Sequence, residues 1–229
     1  MDTQIYIAAH RAFTLPQTDP VYIPLQVGRA QAEDLGYLAD NTGCHISEKN
    51  SSYCELTGMY WIWKNSNAQI VGLCHYRRYL ARGAKILTGS EIEDLMRWYD
   101  LILPDSARSA NPNVYAHYCE KHRKQDLECC LQVMKEQCPV YVPAFLWSLS
   151  CNLISMGNIM IARRQVFDRY CAWLFDILFE VEKRTDLTGC DAYQGRVFGF
   201  LSERLLRAWV LMQKLQVREE AVLCEERFP

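Results

Sequence analysis

Two periodicities divide the chain. Gln4-Ile5-Tyr6-Ile7-Ala8-Ala9 is a short run of β formers that gives way to His10 and Arg11, predicting a strand that opens onto a loop through Pro16 to Pro24. Gln69 to Cys74 is too short an apolar run for a stable helix and predicts a central strand, followed directly by His75-Tyr76-Arg77-Arg78-Tyr79. Asp100 to Leu103, Asn158 to Ala162 and Gln216 to Cys224 predict three more strands. Between them the period lengthens. Ser52-Tyr53-Cys54-Glu55 and Thr88-Gly89-Ser90-Glu91 both read as capping boxes, the first opening a helix to Asn65 and the second a helix carrying Ile92, Leu95 and Tyr99. A helix from Asp126 to Gln137 shows Leu127, Cys130, Leu131 and Met134 on one face, before Pro139 and Pro143 interrupt regularity. Two long stripes follow, one from Val166 to Val181 and one through Tyr193, Val197, Leu201, Leu205 and Met212. Strands interleaved with helices predict an α/β sheet flanked by helices, with ligands received where strand ends feed loops.

The length of 229 residues suits one domain, and no linker or repeat divides residues 1–229. A formal charge of -2 supplies no global field for nucleic acid, which argues against a nucleic-acid partner. No apolar run is long enough to span a membrane and the first residues carry no leader pattern, so the expected location is cytoplasmic. The eleven cysteines contain no Cys-x-x-Cys pair and read as reduced thiols, several of them in the core.

His75-Tyr76-Arg77-Arg78-Tyr79 is the densest chemical constellation. Two arginines at a strand exit can grip a diphosphate bidentately, although strand alternation would send Arg77 and Arg78 to opposite faces. Ser47-Glu48-Lys49-Asn50 precedes a predicted helix start, where amides attract anions; a plain polar loop and cap is the competing account. Asp191 lies near another helix start, as a general base or simply as an N-cap, and Glu203 with Arg204 fits a catalytic carboxylate or a pair on a solvated face. His117, Glu120 and His122 read as polar helix or loop residues rather than metal ligands. Walker A, Gly-x-Gly-x-x-Gly, His-Glu-x-x-His, Gly-x-Ser-x-Gly and Asp-x-Asp patterns are absent.

Taken together, Tyr22 to Gly28, Ile46 to Asn50, Tyr53 to Thr57, Tyr60 to Asn65, His75 to Tyr79 and Arg196 to Leu205 resemble bacterial capsular and exopolysaccharide glycosyltransferases. That family was long described as a domain of unknown function and has galactofuranosyltransferases among its members. The resemblance covers nearly the whole chain. It implies a GT-A-like mixed sheet with a helical C-terminal third, and transfer of a hexose such as galactofuranose from a UDP-sugar to a cell-surface polysaccharide or lipid-linked glycan. Carried over by position, it implies nucleotide and diphosphate contacts from His10, Arg11, Lys49, Asn50, His75, Arg77 and Arg78. The basic cluster would replace or supplement a metal there, so manganese or magnesium stays an open cofactor. Asp191 is the first choice for general base and Glu203 the second, in an inverting reaction, with Gln194 and Arg196 on the acceptor or sugar side. A peripheral seat at the inner face of the membrane fits such an acceptor. The rival reading is a non-catalytic sugar-nucleotide or glycan-binding subunit of a polysaccharide-synthesis assembly.

Overall fold

The computed structural model describes residues 2–16 and 19–224. Gln17 and Thr18, in the loop expected after the first strand, lie outside the described residues. The strands are β1 (Thr3–Ala9), β2 (Tyr22–Gln26), β3 (Leu38–Ala39), β4 (Ile70–His75), β5 (Arg78–Arg82), β6 (Lys85–Ile86), β7 (Leu101–Pro104), β8 (Ala107–Arg108), β9 (Leu153–Ile154), β10 (Met160–Arg163) and β11 (Val217–Cys224). The helices are α1 (Asn50–Tyr53), α2 (Leu56–Asn65), α3 (Gly89–Leu95), α4 (Val114–Lys121), α5 (Lys124–Gln137), α6 (Val142–Ser150), α7 (Arg164–Arg184) and α8 (Val197–Gln213).

Nine strands form one mixed sheet in the order β3-β2-β1-β4-β10-β7-β11-β5-β6, and β8 pairs with β9 apart from it. β1 runs parallel to both β2 and β4, while β10 runs antiparallel to β4 and β7. The chain therefore leaves β1 toward one side for β2 and returns on the other as β4. A crevice opens at such a switch point, beyond the carboxyl ends of the strands. Apolar residues alternate along β1 because both faces are covered: Tyr6 and Ala8 join a core with α2, α5, α7 and α8, whereas Ile5, Ile7 and Ala9 join one with Ile92 and Met96.

The pattern-based elements at 4–9, 69–74, 100–103, 126–137, 158–162 and 216–224 correspond to β1, β4, β7, α5, β10 and β11 within a few residues. The Thr88 capping box closes as expected, Thr88 Oγ1 accepting from the Glu91 amide and Glu91 from the Thr88 amide. The Ser52 box does not form. Cys54 adopts φ 52° and breaks the segment into α1 and α2, Ser52 Oγ donates to the Lys49 carbonyl, and Glu55 turns into the interior. Residues 22–24, within the loop expected from Pro16 to Pro24, belong to strand β2; pairing with β3 uses only Leu25 and Gln26, so the missing Pro24 N–H leaves that ladder intact. Pro143 does not end regular structure either, because it stands in the first turn of α6, where its absent N–H has no intrahelical partner to lose.

Gly72 sits where β1, β4 and β10 are closest, and a Cβ there would come within 2.8 Å of both Ile5 Cδ1 and Ile161 Cγ1 and within 3.1 Å of the Met160 carbonyl oxygen. Gly72→Ala is expected to lower unfolding free energy by about 1–3 kcal/mol in urea titrations. An unchanged midpoint would show that β10 can slide away without cost.

Candidate functional site

The carboxyl ends of β1, β2 and β4 open into a cleft of about 870 Å³. Ala8, His10 and Val27 contribute from the ends of β1 and β2, and His75 to Arg78 from β4 and its hairpin. Asn50 to Glu55 form one wall, Leu187 to Arg196 the other, and Gly157 and Glu203 complete the lining.

The floor is a left-handed corner before β10. Gly157 has φ 85° and Asn158 φ 49°, the left-handed region that glycine adopts freely and that asparagine tolerates better than most residues. Asn158 is buried, and Nδ2 donates to Glu55 Oε1 (2.8 Å) and the Gly199 carbonyl (3.2 Å) while Oδ1 accepts from Ser202 Oγ (2.6 Å). The Gly157 amide donates to Glu203 Oε1 at 2.6 Å, and the other Glu203 oxygen accepts from Arg204. The Glu203 and Arg204 side chains are only 12% and 2% exposed, so they form an interior pair rather than one on a solvated face. Burial pushes the Glu203 carboxyl up, against the pull of Arg204.

His75 Nε2 faces Glu55 Oε1 across 3.7 Å and makes no hydrogen bond. Burial holds this imidazole below its ordinary range; Glu55 opposes the shift, and Arg78 and Arg77 reinforce it. His75 is thus a neutral group, and the positive charge of the motif resides on its arginines. Tyr76 and Arg77 form the turn between β4 and β5, with His75 opposite Arg78, so strand alternation ends before the arginines and both line the same cleft. His10, edge-on to Tyr76 at 5.3 Å, is also held low, first by desolvation and then by Arg11, Arg77, Arg196 and His75. Such a gathering of cations at strand ends favours an anion.

The near wall is fixed by buried Asp40, which accepts from the Gly28 amide (2.9 Å), the Arg29 amide (3.1 Å) and Ser47 Oγ (2.5 Å). Gly28 is left-handed at φ 71°, and a Cβ there would meet Asn50 Oδ1 at 2.6 Å. Asn50 Nδ2 in turn donates to the Cys54 carbonyl (2.7 Å) and Thr57 Oγ1 (3.0 Å), holding the kink at Cys54. The Cys54 thiol accepts from Arg196 Nε at 3.2 Å and is pushed up to about 11 by burial. The far wall is tied to the junction of α4 and α5. Gln194 Nε2 donates to the Lys121 carbonyl (2.9 Å), Arg123 donates to the Asp186 carbonyl (3.0 Å) and to Cys190, and His122 stacks on Phe200 (3.9 Å) and Tyr193 (5.6 Å).

Of the residues singled out in the sequence, His10, Asn50, His75, Arg77, Arg78, Asp191, Arg196 and Glu203 converge on the cleft. Three are placed differently. Lys49 pairs with Glu182 at 2.6 Å, Gln194 turns to Lys121, and Arg11 donates to the Tyr76 hydroxyl at 3.0 Å beside the lining. Asp191 is exposed on the far wall and accepts from the Gln194 amide at 2.7 Å, the geometry of a cap within the cleft. Glu55 and Asn158 were missed: Glu55 was assigned to the capping box, and only the Gly-Asn pair in Gly157-Asn158 signalled a left-handed turn. Divalent cations need several converging oxygen ligands. No group of three or more His, Cys, Asp or Glu side chains suited to a metal occurs among the described residues, and both Glu203 oxygens are engaged, so these side chains do not fit a protein-held cation.

Residues 4–214 match the family described as Domain of unknown function (DUF4422). The chain belongs to that family. Its fold is also similar to the solved apo structure of the WbbM bifunctional glycosyltransferase, with a TM-score of 0.92 and 26% sequence identity over 99% of this chain. The match takes in 46% of the WbbM chain, so this chain spans about half the length of that relative. No curated protein matches the chain.

The far wall carries a pH dependence. Burial first, and then Arg204, His117, Arg196 and Lys121, lower the His122 imidazole from 6.5 to about 4. The unfolded chain therefore takes up a proton that the folded chain refuses: stability is full above pH 6.5 and is lost as pH falls toward about 4. His122→Phe, which keeps a ring for the stack, is expected to lose less melting temperature than wild type between pH 7 and 4.5. Parallel losses would place the acid sensitivity elsewhere.

Proposed function

We propose that this chain is a glycosyltransferase domain, spanning residues 1–229, that moves a hexose from a UDP-sugar to a cell-surface polysaccharide or lipid-linked glycan. The observation that carries the reading is a cleft lined by Arg77, Arg78 and Arg196 at the switch point of the sheet, in a fold similar to that of the WbbM bifunctional glycosyltransferase. The fold is read as GT-A-like, and galactofuranose is the first sugar to test.

Arg77 and Arg78 take the diphosphate by bidentate, charge-assisted hydrogen bonds, with His10 and Asn50 lining the same space. An acceptor hydroxyl oxygen bonds to the anomeric carbon as the bond from that carbon to the diphosphate oxygen breaks, inverting configuration and releasing UDP. The hydroxyl proton passes to a carboxylate, and the arginines stabilise the charge gained by the leaving diphosphate. Asp191 remains the first choice for base: it is exposed to the cleft and its cap hydrogen bond uses Oδ1, whereas both Glu203 oxygens are committed. Arg196 is assigned to the sugar and acceptor side. Lys49, Arg11 and Gln194 become supports rather than direct contacts, on the strength of their partners.

Among the described residues no helix is long and apolar enough to cross a membrane, and the proposed seat at the inner membrane face is peripheral.

Titration calorimetry with UDP tests the donor site. Wild type is expected to bind in EDTA, and Arg77→Ala with Arg78→Ala to weaken binding at least tenfold. Absence of UDP binding with and without manganese would overturn the donor assignment and leave a glycan-binding subunit as the better account. In transfer assays, Asp191→Asn is expected to lower kcat by at least a hundredfold with UDP affinity kept. Full activity in Asp191→Asn together with loss in Glu203→Gln would reverse the order of the two carboxylates.

A further inference from the structure

From Cys138 to Ala162 the chain carries no Asp, Glu, Lys or Arg, although much of this stretch lies at the surface. Val140 is 63% exposed, and on α6 Leu146 and Trp147 are 47% and 52% exposed while Phe145, Ser148 and Leu149 of the same helix are buried. The helix has a full inward face and an outward one that is uncharged and, apart from Ser150, apolar. A surface helix of a water-soluble domain ordinarily turns charged or polar residues outward.

The last turn of α8 extends this surface. Gln213 Nε2 donates to the Tyr141 hydroxyl at 2.8 Å, which places Leu211 and Met212, 46% and 37% exposed, beside the segment that carries Val140. Two exposed cations stand at the same end. Arg169 is close enough to act electrostatically on Tyr141, and Lys214 follows Gln213 directly; neither forms an ion pair among the described residues. Apolar side chains that include a tryptophan, flanked by unpaired cations, match the chemistry of an anionic bilayer surface. The apolar groups leave water at the acyl boundary, the indole sits at headgroup depth, and the cations meet lipid phosphates.

We propose that the face formed by Val140, Leu146, Trp147, Leu211 and Met212, with Arg169 and Lys214 at its edge, docks this domain on an anionic lipid surface. The docking surface specifies where the peripheral seat proposed above is made, and it does not depend on the reaction in the cleft. The same uncharged stretch runs on from α6 through exposed Met156 to Gly157 at the cleft floor, so one continuous segment joins the membrane face to the site.

Vesicle co-sedimentation with the full chain tests the docking without any sugar nucleotide. Phosphatidylcholine vesicles containing 30% phosphatidylglycerol are expected to pellet wild type, and pure phosphatidylcholine vesicles at least fivefold less. Leu146→Asn with Trp147→Ser is expected to lower the apparent affinity for anionic vesicles at least tenfold. Arg169→Glu with Lys214→Glu should remove the preference for anionic lipid and the sensitivity to salt. Circular dichroism and melting temperature confirm that each variant is folded. Equal pelleting of wild type and the Leu146/Trp147 variant, or no pelleting of wild type at low salt, overturns the proposal. A dimer seen by light scattering and abolished by the same pair of substitutions would also overturn it, assigning the face to a second copy of the chain.

Discussion

The buried amide of Asn158 is the point on which the site depends. One side chain, held in a left-handed backbone conformation, joins the start of α2 through Glu55, the α8 helix through Gly199 and Ser202, and the entry to β10 through its own backbone. Each partner carries part of the cleft. Glu203 reaches the same corner by accepting the Gly157 amide, so a backbone donor and a side-chain donor of adjacent residues serve two carboxylates on separate helices. A left-handed asparagine costs about 1–3 kcal/mol in backbone strain, and buried polar groups without partners cost a comparable amount each. The corner persists because its hydrogen bonds offset both costs together.

Charge is arranged around that corner with a consistent logic. The carboxylates at the floor are engaged by internal donors, as Glu55 is by Asn158 and Glu203 by Gly157 and Arg204. The imidazoles of His75 and His10 are held low by desolvation and neighbouring cations, so they add hydrogen-bonding capacity without adding charge. Arginine cannot be neutralised in this way. The fixed positive charge of the cleft therefore resides on Arg77, Arg78 and Arg196, whose guanidinium groups present paired donors suited to phosphate oxygens. Asp191 is the exception: it meets water on the far wall and is oriented by one amide.

Much of this was legible in the chain, and the parts that were not share a cause. Strands β1, β4 and β10 are short β-forming runs whose burial on both faces leaves little choice of conformation, and the His75 to Tyr79 cluster was visible because it follows such a run directly. The arrangement of Arg77 and Arg78 was not, since a two-residue hairpin replaces strand alternation at Tyr76. Ser52 and Glu55 have the spacing of a capping box, yet long-range partners outweighed the local one: Asn158 takes Glu55, and Asn50 secures the kink at Cys54. Lys49 failed in the same way, because Glu182, far along the chain, claims its ammonium group. Local chemistry reads correctly when both partners lie within one turn, as Thr88 and Glu91 do, and fails when a residue from another element offers a better bond.

The uncharged stretch from Cys138 to Ala162 ties these levels together. A segment that only supported the core would hide its apolar residues, and one that only bridged elements in water would carry charge on its outer side. This one does neither, burying Phe145 and Leu149 while leaving Leu146 and Trp147 outside, and then it supplies the Gly157-Asn158 corner. The requirements at its two ends differ. The outer end must stay apolar to leave water, and the inner end adds no charge to the Glu55, Asp191, Glu203 and arginine groups that line the cleft. Both conditions exclude ionised side chains from the same run of residues, and that shared constraint accounts for a gap in charge where every other long element of the chain carries it.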